Sequence, residues 1–187
     1  YTKDILYIEK KDSLRRRQVQ SVLYHAVDVL LRLWAPILAH TAEEINDIFH
    51  GEAESIHLGE FAKLLAVAKE EETKADMARL FALRSDVFKA LEEARAAKII
   101  GKSLEAEVVL LVEAKDRALI EKLFPNVFAQ WLIVSKVSFS EEVQKQYEHC
   151  RVQVKKCVGA VCPRCWNITD SDAADGLCVR CAKVLKS

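Results

Sequence analysis

Two cysteine pairs are the residues of this sequence best spaced to do chemistry: Cys162-Pro163-Arg164-Cys165 and Cys178-Val179-Arg180-Cys181, with twelve residues between them. Two residues inside each pair let the backbone turn as a knuckle that points both sulfurs at one centre. Two facing knuckles supply four thiolates in a tetrahedron, which suits one closed structural zinc site and leaves no position for a catalytic water. The connecting stretch holds Asn167, Asp170, Ser171, Asp172, Asp175 and Gly176, turn formers that let the chain double back. The competing reading is two disulfides. Six cysteines in 187 residues is far from disulfide-scaffold density. No signal-peptide pattern or membrane-spanning run is visible, so nothing else points to an oxidising compartment. Cys150 and Cys157 lie outside the pattern and read as small buried residues.

No second constellation has the spacing of a reactive site. The sequence contains no G-x-x-x-x-G-K-S/T phosphate loop, no G-x-S-x-G elbow and no H-E-x-x-H helix. His25, His40, His50, His57 and His149 are scattered without a cysteine or serine partner at motif spacing. Glu70-Glu71-Glu72 reads as a solvated helix approach. Five glycines are few for a nucleotide-cradling architecture. The chain is therefore expected to bind rather than to catalyse, with no catalytic residue assigned.

Hydrophobic residues make up 51% of the chain and charged residues 30%, the composition of a globular protein. It starts at Tyr1 and holds one Met, so we expect a piece of a longer polypeptide. Formal charge balances at zero, but residues 151–187 carry 7 basic and 3 acidic side chains against 21 and 25 in residues 1–150. The basic excess thus surrounds the cysteine pairs, where it can meet phosphates.

The elements that must position these residues follow from periodicity. Val19, Val22, Leu23, Ala26, Val27, Leu30, Leu31 and Trp34 keep the 3, 4 spacing of one helical face between Leu14 and Trp34. Ser13 is placed to cap that helix and Pro36 to end it. Thr41-Ala42-Glu43-Glu44 reads as a capping box opening a second helix, with Gly51 as its terminator. A third helix is expected over Thr73–Lys98, with Met77, Leu80, Phe81, Val87, Phe88, Leu91 and Ala94 as its stripe. The three helices read as a bundle on shared apolar faces, with Trp34 and Trp131 in apolar cores. After Gly101 the period becomes 2: a strand over Leu104–Val112, a short helix over Asp116–Phe124, and strands over Leu132–Phe139 and Arg151–Lys155. The fold class is mainly α and multidomain. A helical bundle spans 1–100, a small α+β junction unit 101–156 and a four-cysteine zinc ribbon 157–187.

Three stretches carry a family resemblance. Ala35-Pro36-Ile37-Leu38-Ala39-His40-Thr41-Ala42-Glu43-Glu44-Ile45 resembles the anticodon-binding helical domain of the class I aminoacyl-tRNA synthetases for isoleucine, valine and leucine. Leu91-Glu92-Glu93-Ala94-Arg95, with Ile100-Gly101-Lys102-Ser103-Leu104-Glu105-Ala106, resembles the junction after that bundle in bacterial isoleucyl-tRNA synthetases. Cys162-Pro163-Arg164-Cys165-Trp166-Asn167, closed by Leu177-Cys178-Val179-Arg180-Cys181, is similar to their C-terminal zinc ribbon. Ala39, Asn46 and Cys157 depart from the commonest family residues.

The resemblance implies a cytoplasmic, monomeric, ATP-dependent isoleucine–tRNA ligase whose catalytic and editing domains lie upstream of this piece. ATP and isoleucine would bind there; this piece would contact isoleucine tRNA and neither DNA nor a membrane. Unpaired anticodon bases need aromatic platforms and hydrogen-bonding side chains. Trp166 would then stack on a base, Arg164 would pair with a base edge or phosphate, Arg180 would add a contact, and one or two of Arg15, Arg16 and Arg17 would touch backbone. Trp166 covering the ribbon's small core is the plainer alternative. Rival readings of the whole are the zinc-ribbon region of a DNA-repair glycosylase and a protein-binding zinc-ribbon adaptor.

Overall fold

A computed structural model describes residues 2–51, 54–63, 65–170 and 175–186. Ser171 and Asp172, assigned above to the turn between the cysteine pairs, lie outside the described residues. The chain divides into two compact units: Lys10–Ala68, and Tyr1–Glu9 together with Lys69–Ser187.

The first unit is built on α2 (Leu14–Trp34) and α3 (Ala39–His50). Ser13 caps α2 as its sequence position suggests: its hydroxyl accepts from Arg16 N at 3.2 Å. Gly51 closes α3 at φ 85, the positive-φ conformation that glycine adopts without steric cost. The capping box at Thr41 is corrected. The helix already begins at Ala39, and Leu38 precedes it with no side-chain cap. Glu43 instead accepts the backbone N–H of Ile56 at 3.0 Å, tying down the turn Ile56–Leu58. Asn46, only 3% exposed, donates to Glu54 O at 2.9 Å. His50 sits between Asn46 and Asp28, so it serves to join the two helices. The core of this unit is small: Leu31, Ala35, Ala42 and Ile56, with Val27 and Phe49 against them. The long apolar stripe of α2 is consequently not a buried face. Val22, Leu30 and Trp34 are exposed, which corrects the expectation of a core Trp34. Two short facing surfaces cannot cover a stripe of that width.

The second unit contains a three-stranded sheet in the order β2-β1-β3. Central β1 (Ala106–Leu111) runs parallel to β2 (Lys136–Phe139) and antiparallel to β3 (Arg151–Lys156). The parallel pair requires a crossover, which α5 (Ala114–Leu123) and α6 (Phe128–Leu132) supply. The strand expected from Leu132 therefore starts four residues later, at Lys136. Phe128, Trp131 and Leu132 are buried at helical spacing, and Ile133 ends the helix at φ 59. Phe124, Phe128 and Trp131 pack ring to ring, with centroids 4.8–5.9 Å apart. On this layer lies α4 (Glu70–Ala96), burying Leu80, Leu83, Val87, Ala90, Leu91 and Ala94 in the same core as Val108, Leu110 and Val152. Its three leading glutamates occupy the first turn, where carboxylates suit the positive end of the helix dipole.

Two carboxylates on or against α4 fix this packing. Asp86, 6% exposed, accepts from His149 N at 2.6 Å and Cys150 N at 3.1 Å, holding the approach to β3. Burial and the neighbouring Asp86 charge push the Cys150 thiol up to about 12. Asp116 is 1% exposed and takes both Nε and Nη2 of Arg79 at 2.8 Å, pinning α5 to α4. The two ends of this pair differ in exposure, because the Arg79 side chain remains 35% exposed. Arg79→Ala strands a buried carboxylate and is expected to cost about 3 kcal/mol. Asp116→Asn leaves a guanidinium that water can reach and is expected to cost about 1–2 kcal/mol. Urea unfolding of both variants checks the order; equal losses would contradict it.

Candidate metal centre and nucleic-acid surface

The cysteine pairs sit on three short elements. Cys162 follows β4 (Ala160–Val161), Cys165 precedes β5 (Ile168–Thr169), Cys178 caps α7 (Val179–Leu185), and Cys181 lies in the first turn of that helix. Close approach of β4 and β5 needs Gly159, at φ 136, since a Cβ there would lie 2.5 Å from Thr169 O. Ser135 ties this hairpin to the sheet: its hydroxyl donates to Leu104 O at 2.5 Å and accepts from Ile168 N at 2.7 Å.

All four sulfurs lie within 4.8 Å of one another, each at least nine-tenths buried, so together they could hold one metal ion. Tetrahedral coordination with metal–sulfur bonds of about 2.3 Å spaces the sulfurs about 3.8 Å apart, and Cys165 and Cys178 Sγ are 3.6 Å apart. None of the six cysteines is disulfide-bonded. Cys150 and Cys157 are buried outside the cluster, as small residues. Backbone N–H groups already point at the sulfurs. Cys178 N donates to Cys162 Sγ and Cys181 N to Cys178 Sγ, both at 3.4 Å. Burial raises the Cys162 thiol pKa, but N–H groups of Cys178, Cys165 and Arg164 outweigh it and hold the thiol down to about 6. Burial instead pushes the Cys178 thiol up, and the Cys181 thiol up to about 12. Side chains add Arg164 Nη1 to Cys181 Sγ at 3.6 Å and Asn167 Nδ2 to Cys165 Sγ at 3.5 Å. Such outer donors orient and stabilise thiolates.

The first knuckle presents Trp166. Its N–H donates to Cys162 O at 2.8 Å, and Cys162 N in turn donates to Asn167 O at 2.9 Å. This closure forces Trp166 to φ 62, a left-handed conformation that costs a non-glycine residue about 1–2 kcal/mol. Its indole is 69% exposed. The reading of Trp166 as cover for a small core is therefore corrected: the ring projects into solvent from a backbone held at both ends. Arg164 is half-buried on the same knuckle, with its guanidinium against Cys181.

Arg180 is placed differently from the expectation of a direct contact. Its guanidinium grips Asp4 of α1 (Thr2–Ile8) in a bidentate pair at 2.5 and 2.8 Å, which raises its pKa further. Ile8 of α1 is buried beside the four cysteines. The chain's first helix thus braces the metal centre, and no local spacing announces it. Arg15, Arg16 and Arg17 stand in the first turn of α2, in the other unit; Arg17 is exposed and donates to Gln20 at 3.2 Å, while Arg15 and Arg16 are half-buried. Asp4 donates nothing to the metal centre, so Asp4→Ala is expected to loosen α1 without losing metal. The pair keeps about a quarter of its exposure, which limits the loss to about 1 kcal/mol. Hydrogen exchange in α1 and α7 should quicken while metal stoichiometry holds; a metal-free variant would contradict this.

Comparison with known proteins fits this geometry. Residues 1–110 match the family described as the anticodon-binding domain of tRNA ligase. The isoleucine–tRNA ligase of Staphylococcus epidermidis is 42% identical over 100% of this chain, that of Staphylococcus carnosus 42% over 99%, and that of Lactobacillus johnsonii 38% over 99%. The chain spans about a fifth of the length of these curated relatives, 21% in each case. With its family match covering more than half of its residues, the chain belongs to the family that carries the anticodon-binding domain of tRNA ligases.

Proposed function

We propose that this chain is the tRNA-binding C-terminal region of an isoleucine–tRNA ligase, recognising the anticodon stem-loop of isoleucine tRNA. The rest of that enzyme would join isoleucine to the tRNA with ATP. The observation that carries this reading is Trp166, exposed at φ 62 on a knuckle whose two ends are closed by backbone hydrogen bonds. An unpaired base stacks on an aromatic face, and a fixed backbone lowers the entropy cost of presenting it. Arg164, oriented by Cys181, reaches a base edge or phosphate from the same knuckle.

The ion of the four-sulfur centre is zinc in this reading. Four thiolates leave no open coordination position, so the metal is structural and supplies rigidity. Its ligands are Cys162, Cys165, Cys178 and Cys181. Arg180 acts as a strut to α1, and one or two of Arg15, Arg16 and Arg17 touch tRNA backbone. Labour divides among a helical part at 1–100, an α+β junction at 101–156 and a ribbon at 157–187, although α4 shares its core with the sheet. The enzyme works as a cytoplasmic monomer; among the described residues, no helix is long and apolar enough to cross a membrane.

Trp166→Ala should weaken tRNA binding about tenfold, since stacking contributes on the order of 1–3 kcal/mol per base. Unchanged affinity with zinc retained removes Trp166 from the site. Cys165→Ser, placed in the full ligase, is expected to lower tRNA charging and leave isoleucine activation by ATP largely intact. A gel shift with isoleucine tRNA, valine tRNA and duplex DNA distinguishes this function from a DNA-repair or protein-adaptor role.

A further inference from the structure

Beside the first knuckle lies a cleft of about 500 Å³ that the ribbon alone does not form. Trp166 and Arg164 of the first knuckle line it together with Lys3 and Tyr7 of α1, Leu104 and Ile133. That volume falls within the range of about 300–1,000 Å³ typical of small-ligand sites, which are mostly apolar with a few polar groups. Tyr7 is 76% exposed, so the cleft carries two large aromatic side chains that the protein itself leaves uncovered. Ile133, like Trp166, is a non-glycine residue at positive φ, 59°. For a β-branched residue that conformation is a genuine outlier, and strain of this kind concentrates at ligand clamps. Two of the five such residues in the described structure meet at this one cleft.

Charge completes the pattern. Asp4 also lines the cleft but is paired with Arg180, and Arg164 is turned to the Cys181 sulfur, so Lys3 is the cation that the cleft offers a ligand. Aromatic side chains beside a lysine match the two parts of an unpaired nucleotide, a base that stacks and a phosphate that is negative. We infer that this cleft binds one unpaired RNA nucleotide, with Tyr7 as a second stacking residue beside Trp166 and Lys3 as its phosphate contact. The inference rests on the RNA-binding reading above and adds the first helix of the chain to the site. It also gives the Asp4–Arg180 pair a role: setting the width of the cleft.

The test uses the full chain with zinc bound and a short RNA hairpin carrying a fluorescent purine analogue in its unpaired loop. Tyr7 and Trp166 are exposed, so neither substitution removes a core contact. Tyr7→Ala should weaken hairpin binding about tenfold and relieve the quenching of the analogue, whereas Tyr7→Phe, which keeps the ring, should bind as the parent does. Lys3→Ala should flatten the salt dependence by less than one unit of slope. If Tyr7→Ala binds and quenches normally while Trp166→Ala does not, the α1 wall is wrong and the ribbon platform stands. If neither variant differs from the parent, or if the parent ignores the hairpin, both readings fall. A free nucleoside monophosphate that binds as tightly as the hairpin would overturn the assignment to RNA.

Discussion

Among the described residues from 157 onward, those buried are five cysteines, four of them in one cluster, and this scarcity of apolar material governs that end of the molecule. Among the described residues, Ile8, contributed by α1, and Leu177 pack beside the sulfurs. Chain segments below about 40 residues rarely bury enough surface to fold without a crosslink or a metal. Two-residue strands and a seven-residue helix add little by themselves. The convergence of thiolates therefore stands in for a core, and every nearby side chain inherits its position from that centre.

Position is what the surface residues need. Trp166 occupies a backbone conformation that a free chain would leave, and the closures through Cys162 O and Asn167 O keep it there. Arg164 and Asn167 donate to sulfur and are thereby oriented. Arg180 shows the same economy turned inward, joining the ribbon to α1 instead of to solvent. Arginines in equivalent places, one in each knuckle, thus differ: Arg180 grips the Asp4 carboxylate, and Arg164 donates to the Cys181 sulfur.

The larger core beneath follows a different logic, with ordinary aliphatic packing aligned by a few buried charges. Asp86 caps the backbone approaching β3, and Asp116 anchors α5 through Arg79. Each satisfies donors that would otherwise be stranded when α4 closes on the sheet, and in doing so restricts how α4 can sit. Ser135 extends that frame to the hairpin of β4 and β5 by bridging Leu104 and Ile168.

Much of this was legible in the residues themselves. Knuckle spacing brought Cys162, Cys165, Cys178 and Cys181 together on paper, and they do converge. Ser13, Gly51, the stripe of α4 and the alternation of β1 likewise announced their elements, because caps and periodicity are local properties of a chain. Thr41 misled, since a capping box records only what could form; Leu38 started the helix earlier and Glu43 was drawn to Ile56 instead. Periodicity in α2 marked a face but not what covers it, so Trp34 read as core and is exposed. The apolar run after Phe128 suited helix or strand equally, and the ring packing of Phe124, Phe128 and Trp131 decided for α6. Asp4 with Arg180, and Tyr7 with Trp166, lie at opposite ends of the chain. Sequence alone determined which side chains were available; tertiary structure decided which of them come together, because ion pairs and clefts depend on distances in space that no spacing along the chain encodes.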